Sequence, residues 1–419
     1  MLNDHTYFQT DNGILYQGHV LDVLKKMPEK SVDCIFTSTP YFGLRNYKTE
    51  SQIWDNDVDC EHEWEDNFCK KCSAWMGELG QEPSVSLFVK HLCDIFEESK
   101  RVLKDRGSLW VNLGDSYNGS GGEHLPHHKN DAGFQGERLV GCQRRNIVNI
   151  PKKSLTLVPE RFAIEMINRG WTLRQNIIWY KNNAMPESVK DRDTRCTENI
   201  YHFTKQTEYY YEQQLEPLSD VTIKDIEKRK NMLRSTGEKG SKNIHNEDSP
   251  YHSAIAGRSR LEFANVESGK NARGVWKVNL KSECSYAHFA TFPTELVRKV
   301  INRACPDRVC PVCGKDVMKL YLTKSVATRP GTKSKDVDGE FGSNRQKFMP
   351  IFLGFEEKKC DCGYAFEPGI IMDIFMGSGT VGVVAEEMQR KWVGIELNPE
   401  YCKIAVKRIN KQCQEISLF

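Results

Sequence analysis

The sequence has almost no excess charge: 59 basic and 57 acidic residues leave a net charge of +2 over 419 residues. Any affinity for a polyanion must therefore come from local patches rather than from the chain as a whole. Long apolar runs are missing too. No stretch approaches the roughly 20 apolar residues that span a bilayer. Met1-Leu2-Asn3-Asp4-His5 lacks the basic and apolar regions of a signal peptide. A cytoplasmic protein with no membrane attachment is expected. There is no internal repeat. Cysteine, by contrast, is plentiful, with 15 residues. Seven of them fall in or beside short Cys-x-Cys or Cys-x2-Cys clusters, a usage that fits metal binding better than a disulfide framework.

Both ends of the chain read as α/β core. Val20 to Met27 has helical spacing, and Val32 to Thr37 reads as a buried strand. Ile370 to Ile374 is a short apolar strand, followed by a Gly-rich turn, a helix from about Thr380 to Gln389, and a strand from Trp392 to Glu396. Between them, Phe88 to Leu103 and Leu157 to Arg169 have helical periodicity. The strands Gly107 to Leu113 and Thr172 to Tyr180 follow them. This alternation predicts an α/β, Rossmann-like, mainly parallel sheet with helices on both faces. Residues 216–275 turn polar and rich in Gly, Ser and Asn, and read as a loop-rich insertion or small subdomain. Residues 323–350 read as a long polar loop.

Asp373-Ile374-Phe375-Met376-Gly377-Ser378-Gly379-Thr380 lies where a strand hands over to a helix. Glycines there let the backbone turn sharply and approach a ligand, and the next helix exposes unpaired N–H groups. Glu396 ends the following strand, 17 residues after Gly379, where a carboxylate can accept both hydroxyls of a ribose. The turn lacks the Gly-x4-Gly-Lys-Ser/Thr pattern of a triphosphate loop and the third glycine of a dinucleotide fingerprint. An adenosyl ligand without a pyrophosphate fits best.

Thr37-Ser38-Thr39-Pro40-Tyr41-Phe42 follows the first buried strand directly, at a carboxyl end of the sheet where ligands bind. Val32 to Arg45 resembles the catalytic motif of DNA amino-methyltransferases, commonly (Ser/Asp/Asn)-Pro-Pro-Tyr. Asp373 to Thr380 resembles their cofactor motif, and Gly394-Ile395-Glu396-Leu397-Asn398-Pro399 the acidic motif after it. Catalytic motif first and cofactor motif last is the order of the β group. Gly107 to Tyr117, Ile177 to Lys181, Met185 to Arg192 and Ala287 to Pro293 are similar to further segments of that family.

The resemblance implies S-adenosylmethionine as cofactor, with Asp373, Phe375, Gly377, Gly379, Thr380, Glu396, Asn398 and Phe292 around it. It implies Ser38, Thr39, Pro40 and Tyr41 as the catalytic set. An aromatic amino nitrogen is a poor nucleophile because its lone pair is delocalised into the ring. Ser38 Oγ and the Thr39 carbonyl would accept its two N–H bonds, and Tyr41 would stack on a base swung out of the duplex. Methyl transfer is then an in-line displacement, for which no nucleophilic cysteine is required; Cys34 reads as core. Thr39 departs from the family, which has proline there, so the fixed φ is lost while the carbonyl is kept. His19 stands where many relatives carry an acidic residue, and no role is assigned to it.

Cys60-x-His62-x6-Cys69-x2-Cys72 offers four ligands within 13 residues, and Cys310-x2-Cys313 with Cys360-x-Cys362 four more. Each set can close a tetrahedral Zn²⁺ shell, which is structural rather than catalytic. Cys34, Cys93, Cys142, Cys196, Cys284, Cys305, Cys402 and Cys413 read as bystanders.

The expected organisation is a catalytic half (1–58), a zinc-binding insertion (59–80), more core (81–183) and a target-recognition region (184–285). A cofactor-contact segment (286–304), a zinc-ribbon insertion (305–363) and the S-adenosylmethionine-binding half (364–419) follow. Arg192, Arg195, Lys228, Arg229, Lys230, Arg234, Arg258, Arg260 and Arg273 supply basic groups suited to double-stranded DNA, although each alone reads as a solvated surface charge. A cognate restriction endonuclease is compatible as a partner. Ser38 favours cytosine N4 over adenine N6, since Asp or Asn is the commoner adenine pattern. Two rivals remain open: a catalytically silent zinc-containing DNA-binding protein, supported by Thr39, and a methyltransferase of RNA or protein.

Overall fold

The computed structural model describes residues 1–43, 49–119, 147, 149–225, 228, 270–280, 292–316, 318–326, 347–356 and 360–416. It divides into two compact units, one of residues 1–210 with 277–419 and one of 211–276. In the second unit the short strands β11 (Leu215–Glu216) and β12 (Lys270–Asn271) pair antiparallel, and Arg273 pairs with Glu216.

The first unit is built on one large sheet. Its strands are β1 (Thr6–Gln9), β2 (Gly13–Gln17), β3 (Val32–Ser38), β8 (Leu103–Leu113), β9 (Thr172–Tyr180), β10 (Thr197–Thr204), β16 (Ile370–Asp373) and β17 (Lys391–Glu396). They lie in the order β1-β2-β17-β16-β3-β8-β10-β9. The five strands from β2 to β8 are parallel to one another. β3 is buried on both faces until its last residue, which explains its unbroken apolar run. Helices α1 (Val20–Lys26), α2 (Val85–Val102) and α3 (Val158–Asn168) pack in succession, as do α4 (Thr294–Ala304), α5 (Thr380–Glu387) and α6 (Pro399–Ile416). These two groups cover the two faces of an α/β, Rossmann-like sheet. Ser84 caps α2 by accepting the Leu87 N–H at 3.2 Å. The helix buries Phe88, Leu92, Ile95 and Phe96, the i, i+4, i+7, i+8 stripe of an amphipathic helix.

Two expectations need correction. Residues 197–204, grouped by sequence with the recognition region, are a strand of the main sheet. β10 inserts antiparallel between β8 and β9, so the helix α3 links strands that are not neighbours. The chain returns to the β9 edge of the sheet, where the Val278 N–H donates to the Tyr180 carbonyl at 3.1 Å. Second, the stretch read as a loop from residue 323 begins and ends as strand. β14 (Met318–Val326) and β15 (Lys347–Glu356) form a ladder reaching Val326 opposite Lys347. Aromatic and β-branched residues such as Tyr321, Phe348 and Ile351 favour strand despite the flanking polarity. The first cysteine cluster sits in a small sheet ordered β4-β7-β6-β5 (Gln52–Trp54, Trp75–Gly77, Phe68–Cys69, Trp64–Glu65). No helix among the described residues is long and apolar enough to cross a membrane.

Candidate active site

The sheet order puts β3, β16 and β17 side by side, so their carboxyl ends open onto one region. Ser38 ends β3, Asp373 ends β16 and Glu396 ends β17. Above them lies a cavity of about 380 Å³. Ser38, Thr39, Pro40 and Tyr41 line it from one side; Phe375, Gly377, Thr380, Glu396 and Asn398 line it from the other, with Phe292 also on its wall. Asp373 and Gly379 lie behind the lining. Ala287 to Thr291 fall outside the described residues.

The Gly-rich turn is shaped by its backbone. Gly377 has φ +51° and Gly379 φ +81°, values that favour glycine. A Cβ on Gly379 would also lie 2.8 Å from Ala405 Cβ. The turn hangs on the two carboxylates. Glu396 Oε2 accepts the Gly377 N–H at 2.7 Å and Oε1 the Asn398 N–H at 2.8 Å. The Leu397 N–H also bears on this carboxylate, which still leaves it capacity to accept from a ligand hydroxyl. Asp373 Oδ1 accepts from Thr37 Oγ1 at 2.7 Å and from the Phe375 N–H at 3.1 Å. Its Oδ2 is buried without a hydrogen-bond partner among the described residues. Burial pushes both carboxyls up to about 7.

On the opposite wall, Ser38 Oγ donates to Asn112 Oδ1 at 3.2 Å. Asn112 Nδ2 donates to Glu198 Oε2 at 3.1 Å and to the Asn199 carbonyl at 3.2 Å. The Tyr41 hydroxyl donates to the same Glu198 oxygen at 2.7 Å, and Lys181 pairs with Glu198 Oε1. The Tyr41 ring lies against Gly114, where a Cβ would stand 2.4 Å from Tyr41 Cε2. Sequence reasoning missed Asn112 and Glu198. The signal for Asn112 was a lone amide in the apolar run Leu109 to Leu113; Glu198 carried none. It also gave His19 no role, yet His19 lines the cavity, edge-on to Trp54 at 4.9 Å between ring centroids. Its Nε2 is buried without a partner among the described residues, and desolvation lowers its pKa.

Both ligand clusters close in space. Cys60 Sγ and Cys69 Sγ are 3.8 Å apart, and Cys72 Sγ lies 3.4 Å from His62 Nδ1. Cys310 Sγ and Cys360 Sγ are 3.2 Å apart, with Cys313 and Cys362 completing the group. Within each cluster the four candidate ligand atoms lie within 4.8 Å of one another. Edges near 3.8 Å are those of a tetrahedron with zinc–sulfur bonds of about 2.3 Å. Cys34, Cys93, Cys305 and Cys402 are buried, Cys196 and Cys413 are partly so, and Cys142 and Cys284 lie outside the described residues. Burial pushes the Cys34 thiol well above its ordinary value.

Arg192 stacks on Tyr117 at 4.0 Å and pairs with Glu187. Arg195 buries an Nη1 that has no partner among the described residues. Arg229, Lys230, Arg234, Arg258 and Arg260 lie outside the described residues, and Lys228 within them.

A family profile described as DNA methylase matches residues 32–309 and 364–407, most of the chain and both walls of the cavity. The chain belongs to the DNA methylase family. This agrees with the resemblance read from its motifs. The stretch the profile leaves out, 310–363, starts at Cys310 and ends just after Cys362, and so holds the second cysteine cluster. The chain is 32% identical over 402 residues to the Type II methyltransferase M.Cfr9I of Citrobacter freundii, covering 96% of this chain and 89% of the relative. It is 30% identical over 399 residues to M.XycI of Xanthomonas campestris pv. cyanopsidis, covering 95% and 88%. To M.SmaI of Serratia marcescens it is 27% identical over 394 residues, covering 94% and 89%. This DNA methyltransferase therefore matches them along nearly its whole length.

Proposed function

We propose that this DNA methyltransferase moves a methyl group from S-adenosylmethionine to the exocyclic amino nitrogen of a flipped base in double-stranded DNA, with cytosine N4 favoured. One observation carries the reading: Ser38 and the Gly377–Glu396 turn face each other across a single cavity. The residues fit the cofactor. A cavity of about 380 Å³ is within the range of small-molecule sites. Asp373 Oδ2 and the remaining acceptor capacity of Glu396 can accept from ligand donors, and the left-handed glycines let ligand and backbone approach closely. Asp373, Phe375, Gly377, Gly379, Thr380, Glu396, Asn398 and Phe292 would hold it. When bound, it supplies a sulfonium-activated methyl group.

The other wall prepares the acceptor. Ser38 Oγ and the Thr39 carbonyl accept the amine hydrogens and draw the nitrogen toward a tetrahedral, reactive form. Tyr41 offers a ring face for the extruded base, with Pro40 shaping the turn. Positioning supplies the rate. The lean to cytosine rests on Ser38; the same acceptors fit an adenine amine. The two cysteine clusters hold structural Zn²⁺, since a closed four-ligand shell leaves no open position for chemistry. The parts of residues 184–285 outside the sheet strand β10 supply target recognition. The Type II names of the relatives support a cytoplasmic restriction–modification setting with a cognate endonuclease.

The test is incubation with labelled S-adenosylmethionine and DNA, followed by digestion and mass analysis of the nucleosides, with RNA and protein as parallel acceptors. N4-methylcytosine in DNA is expected, and N6-methyladenine would transfer the reading to adenine. Cofactor binding with no label in any acceptor would establish the silent DNA-binding protein that Thr39 favours.

A further inference from the structure

We propose that Glu198 is a positioning residue that, through Asn112 and Tyr41, orients both acceptor-side groups of the active site; this rests on the function proposed above. The argument is one of donors and acceptors. A primary amide looks nearly symmetrical, and which end is oxygen follows from its neighbours. One end of Asn112 faces Glu198 Oε2 at 3.1 Å and the Asn199 carbonyl oxygen at 3.2 Å. A carboxylate and a carbonyl can only accept, so that end must be the NH₂ group. The amide oxygen is therefore forced toward Ser38 Oγ, 3.2 Å away. It in turn can only accept, so the Ser38 hydroxyl hydrogen is turned onto it. Both lone pairs of Ser38 Oγ are left for an incoming amine.

The same Glu198 oxygen holds the Tyr41 hydroxyl at 2.7 Å. Ser38 and Tyr41 thus share one anchor. Lys181 pairs with the other carboxylate oxygen, and the two side chains are only 16% and 13% exposed. Asn112 itself is buried, so its amide has little access to water that could stabilise the flipped orientation. The sheet makes this possible. β10 lies antiparallel beside β8 with Ile200 opposite Asn112 and Asn199 opposite Leu113, which carries Glu198 to the cavity end of the strand pair, where it lines the wall.

The experiment compares steady-state transfer to DNA by wild type, Glu198→Gln and Asn112→Asp. Lys181 can only donate, so glutamine at 198 keeps its oxygen on Lys181 and turns its NH₂ group toward the NH₂ of Asn112. The two donors repel, and the Asn199 carbonyl alone is left to hold the Asn112 amide. A fall in kcat of about 10- to 100-fold is expected, because misplacement by about 1 Å costs that much, with the cofactor Kd within about twofold. Should Glu198→Gln leave Lys181 unpaired and the chain unfolded, the double variant Lys181→Met with Glu198→Gln removes both charges and carries the same expectation. Asn112→Asp adds a pH readout. Two carboxylates about 3 Å apart resist joint ionisation. The variant should therefore work best at low pH, where the introduced carboxyl keeps a proton to donate to Glu198, and lose activity as pH rises. Wild type lacks this added fall.

A Glu198→Gln enzyme at the wild-type kcat, a matching loss of cofactor affinity, or an Asn112→Asp profile parallel to wild type would each overturn the inference. Absence of transfer by wild type would instead overturn the function on which it rests.

Discussion

Thr37 Oγ1 donates to Asp373 Oδ1 across 2.7 Å, joining residues 336 positions apart in the chain. β3 and β16 are parallel neighbours, so the residue before the Ser38 turn and the residue before the Gly-rich turn meet at the floor of one cavity. The proposed methyl donor and acceptor sites can face each other only because of this adjacency.

Replacing Ser38 or Tyr41 by alanine should abolish transfer while cofactor affinity, measured by calorimetry, stays within about threefold. Loss of one well-placed polar contact costs of the order of 100-fold or more in rate. Full activity in both variants would remove the Ser38 turn from the chemistry.

Gly114→Ala is a test from the other side. The added Cβ would fall 2.4 Å from the Tyr41 ring, so the ring must leave its seat. Transfer is expected to drop by at least about tenfold, with the cofactor still bound and the melting temperature little changed. An alanine variant of wild-type rate would mean that the Tyr41 ring position does not matter.

The two buried carboxyls give a pH signature. Both Asp373 and Glu396 sit near 7 because of burial, above their unfolded values of about 4. The folded, unliganded protein then binds more protons than the unfolded chain between about pH 4 and 7. This contribution to stability is full below about pH 4 and is lost as pH rises through 7. Ligand hydroxyls donate to the ionised forms, so cofactor binding should release protons and tighten from about pH 6 to about pH 8. Calorimetry in buffers of different ionisation enthalpy measures this, and binding without proton release would contradict it. Asp373→Ala should weaken binding.

Thr39→Pro would restore the residue usual at that position. It deletes a long hydrogen bond, Thr39 N–H to the Asn112 carbonyl at 3.3 Å, and removes a buried hydroxyl with no partner among the described residues. The two effects oppose each other, so the rate should be kept or raised, never lowered more than about threefold. A large loss would show that the turn has taken another role.

Metal content is directly measurable. Elemental analysis should find two zinc ions per chain, one for each cluster, and Cys69→Ser or Cys360→Ser should each remove one. A chelator should lower the melting temperature by more than about 5 °C, since small insertions draw their stability from the metal. Metal-free protein of unchanged melting temperature would return these cysteines to ordinary packing.

The amino-acid sequence determined much of this protein. Periodicity located the core helices and strands, because an apolar stripe or run is a local property. The Ser38–Tyr41 and Asp373–Thr380 turns were legible because their chemistry is written in consecutive residues. The two cysteine clusters were legible from spacing, and the structure brings each set of ligand atoms together. Only the tertiary structure decided that β10 inserts between β8 and β9, and so that Glu198 meets Asn112 and Tyr41. A strand's place in a sheet depends on which edge is free when distant segments pair, and no local pattern records it. For the same reason the Nε2 of His19, in the cavity wall and without a partner among the described residues, emerged from packing: burial belongs to the assembled sheet and helices, not to the residue's neighbours in the chain.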